Sequence, residues 1–132
     1  MSKAIGSAAF IGFAAVVLIA GAASAADVKG EIATAQDHAN FAAAASDIAG
    51  AHMHLHHTLN CIVGPGGAGF DAKEINPCTG RGAGAMPDSA SAAMKTSLQA
   101  AADEANKGLA ATDLATAQAD AKSTSAMLGA IK

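Results

Sequence analysis

The sequence predicts an all-α fold, an antiparallel bundle of three helices with a long disulfide-closed loop, and three observations point to it. Apolar residues recur at steps of three and four in three separate stretches, the period of helices that bury one face. A single segment, CIVGPGGAGFDAKEINPCTGRGAGAMP from Cys61 to Pro87, concentrates glycine, proline, asparagine and aspartate, a density that breaks regular elements. Nowhere does the chain alternate polar and apolar residues as a strand would. A second copy of the chain, packed against the first, would complete a four-helix arrangement.

The first element is an export signal. Lys3 is the only early charge, and the chain then runs uncharged from Ala4 to Ala26 through Phe10, Ile11, Phe13, Val16, Val17, Leu18 and Ile19. Ala23-Ser24-Ala25 follows, the small-x-small pattern that signal peptidase accepts, so residues 1–25 are expected to be a signal peptide cleaved after Ala25. The run is also long enough to cross a bilayer, and a retained anchor is the competing reading. No cysteine follows the cleavage site to carry a lipid. The expected product is residues 26–132, a single helical domain in the periplasm or secreted, off the membrane once the signal is cut.

Cleavage removes Lys3 and leaves seven Lys or Arg against eleven Asp or Glu, a net charge of −4. A mildly acidic chain without a basic patch makes nucleic acid a poor partner. Phe41 and Phe70 are the only aromatics left. Cores so poor in large side chains commonly draw on a disulfide, a metal or a partner subunit for stability.

A first helix is predicted over about 31–60, because Phe41, Ala45, Ile48, His52, Leu55, Leu59 and Ile62 alternate steps of four and three, a heptad seam. His38 falls on that seam two heptads before His52. The loop follows over 61–88. Asp88-Ser89 reads as the N-cap of a second helix, about 89–107, with Met94, Leu98, Ala101 and Ala105 on one face and Gly108 as its stop. A third helix, about 112–131, carries Leu114, Ala117, Ala121, Thr124, Leu128 and Ile131 on its stripe. The short link between them predicts an antiparallel hairpin.

Cys61 and Cys78 are the only cysteines, and in an exported chain such a pair is expected to form a disulfide. Closing that loop is worth very roughly 3 kcal/mol in the chain-entropy model. The alternatives are a metal site using both thiolates or a redox pair, which usually takes the form Cys-x-x-Cys.

His52-Met53-His54-Leu55-His56-His57 holds four of the five histidines. On a helix His52 and His56 are i and i+4 neighbours, and His54 and His57 are i and i+3 neighbours. Either pair can offer two imidazole nitrogens to one cation. The heptad assignment turns His52 and His56 toward the seam and His54 and His57 away from it. The expected site is therefore His52 and His56, with His54, His57, Met53 and His38 as further ligands. Imidazoles suit copper, zinc and nickel, and a thioether favours Cu(I), so copper stands first, with zinc and nickel behind it. Haem is the rival cofactor, clamped axially by His and Met in a small bundle. Surface histidines that sense pH, on a bundle that docks another protein, are the remaining alternative. Catalysis is not expected, because Glu31, Glu74 and Glu104 are the only glutamates, all outside the cluster, and no carboxylate pairs with a nucleophile.

The stretch EANKGLAATDLATAQADAKSTSAML, residues 104–128, forms two alanine-rich amphipathic segments about a short glycine-containing link. It resembles the repeats of the small metal-binding protein family, which are exported, histidine-rich helical bundles that take divalent metals, copper especially. The resemblance covers about 40 residues. It implies the bundle and the exported compartment. Family members spread histidines over all their helices, whereas here the second and third helices have none, and the Cys61 to Cys78 loop has no counterpart. It therefore assigns no ligand in those helices.

Overall fold

The computed structural model describes residues 26–132 and is all-helical there. Five helices run in order: α1 Val28–Ala43, α2 Ile48–Val63, α3 Ala85–Asp88, α4 Ala92–Ala110 and α5 Leu114–Gly129. The expected signal peptide, residues 1–25, lies outside the described residues. No helix among the described residues is long and apolar enough to cross a membrane.

The expected first helix is two helices. Between Ala44 and Asp47 the chain leaves helical geometry, and the Asp47 side chain caps α2 by accepting from the Gly50 N–H at 2.7 Å. An aspartate at N-cap satisfies an amide that has no partner within the helix. Asp27 starts α1 and Asp113 starts α5 in the same way. The regular spacing from Phe41 to Ile62 thus spans a turn: Phe41 lies on α1, Ala45 in the link, and Ile48, His52, Leu55, Leu59 and Ile62 on α2. Phe41, expected in the seam, is 53% exposed.

The remaining boundaries differ by a few residues. Helix α2 runs on to Val63, where Gly64 stops it at φ +67°. The one-turn helix α3 sits inside the expected loop, and Ser91, rather than Asp88 or Ser89, caps α4. Gly108 does not end α4. It is buried within it, and a Cβ there would stand 2.7 Å from Leu55 Cδ1, so the glycine allows close packing.

Helix α1 packs on α2 and α5, and α4 packs on α5 and α2. Four long helices from one chain form the arrangement that a second copy was expected to complete. The interior centres on Leu55, Leu59, Ile62, Leu98 and Leu128, all at or near zero exposure, with alanines of every long helix between them. Most of the stripes read for the last two helices are buried, with Leu98, Ala101 and Ala105 on α4 and Ala117, Ala121, Thr124 and Leu128 on α5, while Met94, Leu114 and Ile131 are only partly buried and Ile131 lies beyond the end of α5.

Polar contacts pin the helices where alanine provides little grip. The Thr58 hydroxyl of α2 lies 3.2 Å from the Ala35 carbonyl of α1, and the Ser125 hydroxyl donates to Asn40 Oδ1 at 2.7 Å. Cys61 and Cys78 form the expected disulfide, both fully buried. Next to it, the buried Asn60 binds the loop backbone: its amide donates to the carbonyl of Asp71 at 3.0 Å, and its Oδ1 accepts from the Asp71 N–H at 2.9 Å.

Candidate metal centre

The break at residues 44–47 decides the site. It folds α1 back against α2, so His38 on α1 meets His54 and His57 on α2. The Nδ1 atoms of His38 and His54 are 3.2 Å apart, and in the metal-free protein one imidazole donates to the other. One ring nitrogen from each of the three histidines lies within 4.8 Å of the other two. The ring centroids of His38 and His57 are 5.0 Å apart, and those of His54 and His57 are 5.6 Å apart. Phe41 lies against the outer side of the group, its ring 5.5 Å from His38 and 5.4 Å from His54.

These distances suit a cation. Nitrogens bound at about 2.0–2.1 Å to a tetrahedral ion stand roughly 3.3 Å apart, close to the spacing His38 and His54 already have. A ring nitrogen of His57 lies within 4.8 Å of both and would have to draw in to join the same shell. The buried ring nitrogens of His57 have no hydrogen-bond partner, although buried polar atoms are normally satisfied. A cation is one group that would satisfy one of them.

The electrostatics favour the neutral form of His38 and His57, and imidazole binds metal only when neutral. Burial, followed by the neighbouring His57 and His54 rings, lowers His38 to about 4. Burial and then His54 also lower His57, while the Glu74 carboxylate pulls the other way. Protonation of one ring disfavours protonation of the next, and a divalent cation replaces several such protons with one charge at the centre of the group. The cluster of His38, His54 and His57 is thus able to hold a metal ion.

Three of the six ligands proposed from sequence, His52, Met53 and His56, fall elsewhere. His52 and His56, the expected leading pair, lie on α2 but do not join the three-histidine group. His52 is half-buried with Nε2 unpartnered, and His56 places Nδ1 3.7 Å from Asp71 Oδ2. Met53 is 39% exposed. The disulfide occupies both cysteine sulfurs, so neither is a free thiolate ligand. His57, expected to face away from the bundle, is 6% exposed and turned inward. His38, the last of the expected ligands, is the residue that α1 contributes.

One signal would have placed it. Ser46-Asp47 directly before an apolar-periodic run is a helix-start signature. A hairpin turning there sets a residue about eight positions before the turn opposite one about eight positions after it, and His38 and His54 stand in that relation.

No family model, no curated protein and no solved structure matches this chain. The case for its function therefore rests on the site and on the sequence.

Proposed function

We propose that the protein is an exported, non-catalytic metal-binding protein that buffers, stores or delivers copper through His38, His54 and His57. The observation that carries this reading is the convergence of three imidazole nitrogens from two helices, two of them already at coordination spacing. Copper is favoured over zinc and nickel because imidazole sites follow the order that places Cu(II) highest among the divalent first-row ions. Three nitrogens gathered within 4.8 Å of one another suit a single ion better than haem, which takes its axial ligands on opposite faces of a macrocycle. The disulfide supports an oxidising compartment, in keeping with the signal sequence. The resemblance of residues 104–128 to the small metal-binding proteins points the same way.

Isothermal titration of the disulfide-intact protein with Cu(II) and Zn(II) tests the assignment. Single alanine substitutions at His38, His54 and His57 are expected to weaken binding at least tenfold. His52→Ala with His56→Ala should leave it nearly unchanged. The assignment fails if the double variant loses affinity while the three single variants, folded by circular dichroism, retain it.

A further inference from the structure

The loop between the two cysteines does more than span a gap, since it brings carboxylates to the histidines of α2. Glu74 Oε2 stands 3.5 Å from Nε2 of His57, and Glu74 pairs with no other histidine among the described residues. The carboxylate is not part of the group whose ligand atoms converge. Its contact with the trio is through Nε2 of His57, which leaves Nδ1 of that ring as the nitrogen open to an ion. The loop that carries it is held by Asn60, whose amide also lies 3.4 Å from the backbone carbonyl of Glu74 itself, and by the disulfide one residue further along α2.

We infer that Glu74 is a positioning residue of the metal centre, accepting the Nε2–H of His57 and so fixing that ring's orientation and tautomer. This rests on the metal-binding reading above. A neutral imidazole that donates through Nε2 keeps its lone pair on Nδ1, the same atom through which His38 and His54 face each other. Ligated histidines commonly give their second N–H to a carboxylate, which raises ligand basicity and holds the ring in place. At 3.5 Å the contact is looser than a formed hydrogen bond; a cation held on the other nitrogen would make the N–H more acidic and so strengthen it. Asn60 and the disulfide then act on the site through Glu74, because they set where the carboxylate stands.

The test compares wild type with Glu74→Ala, Glu74→Gln and Asp71→Asn. Asp71→Asn removes a charge from the same loop, but its partner is His56. Long-range proton–nitrogen spectra of the metal-free proteins report the His57 tautomer, and titration with Cu(II) and Zn(II) reports affinity. Wild type is expected to hold His57 as the Nε2–H tautomer. Glu74→Ala should mix the tautomers and weaken binding ten- to a hundredfold, Glu74→Gln should fall between, and Asp71→Asn should stay within about twofold. Equal losses in Glu74→Ala and Asp71→Asn would reduce the role to loop charge and overturn the inference. An Nδ1–H tautomer in wild type would overturn it whether or not metal binds. Absence of metal binding in wild type defeats the proposed function instead, and the tautomer comparison still decides the role of Glu74.

Discussion

Acidification of the metal-free protein should destabilise it through His38. The folded state lowers this imidazole from 6.5 to about 4, so the unfolded chain takes up the proton first as pH falls. Stability from the neutral ring is complete above about 6.5 and disappears as pH drops toward 4. A shift of this size corresponds to about 3 kcal/mol at 1.36 kcal/mol per pKa unit. His38 is only half-buried, so solvent screening trims the effect to about 2 kcal/mol, most of it gone by pH 5. His57 is lowered as well and adds in the same direction. For a domain near 100 residues, 1 kcal/mol moves Tm by roughly 4 °C or more. Thermal melts by circular dichroism in the presence of a chelator, at pH 7, 6 and 5, should be run on wild type and His38→Asn. The stability difference between the two proteins is expected to shift by about 1.5 kcal/mol, against wild type, from pH 7 to pH 5. Titrating groups away from the cluster cancel in that difference. If the two proteins lose stability in parallel, the burial and mutual repulsion assigned to His38 are refuted.

Replacing both Cys61 and Cys78 by alanine should cost about 3 kcal/mol in urea denaturation, and a loss under 1 kcal/mol would show the loop to be held by Asn60 alone. Gly64→Ala should destabilise by about 3 kcal/mol or more, because φ is +67° and the new Cβ would fall 1.6 Å from the Ala83 carbonyl oxygen. Gly66→Ala, with nothing within 4 Å of its Cβ, should stay within about 0.5 kcal/mol. Matching melts for the two glycine variants would contradict the packing described for Gly64. Glu31 is fully buried, with Oε1 accepting from the Gly84 N–H at 3.0 Å and Oε2 unpartnered, and burial raises its pKa above the ordinary 4.5. Its protonated form contributes stability below 4.5 that is lost as pH rises through the folded value. Glu31→Gln should therefore gain on wild type between pH 4 and pH 8, and a pH-independent gap between their melting temperatures would count against it.

Helical class, most of the buried stripes of α4 and α5, the disulfide partners and the presence of a histidine cluster could all be read along the chain. They depend on local period, on composition, or on there being only two cysteines. The membership of the site could not be read in that way. A heptad count runs through a tight turn unchanged, so Phe41, His38 and the residues of α2 looked like one seam. In fact Asp47 caps a new helix and reverses the chain. That reversal replaces the intrahelical pair His52 and His56 with an interhelical trio, since imidazoles from facing helices can converge on a point. It also brings Glu74 from the loop to Nε2 of His57, a contact with no periodicity to announce it. The sequence by itself determined which chemistry is available, because side-chain type is local. Only the tertiary structure decided which nitrogens meet, because their distance depends on how two helices pack.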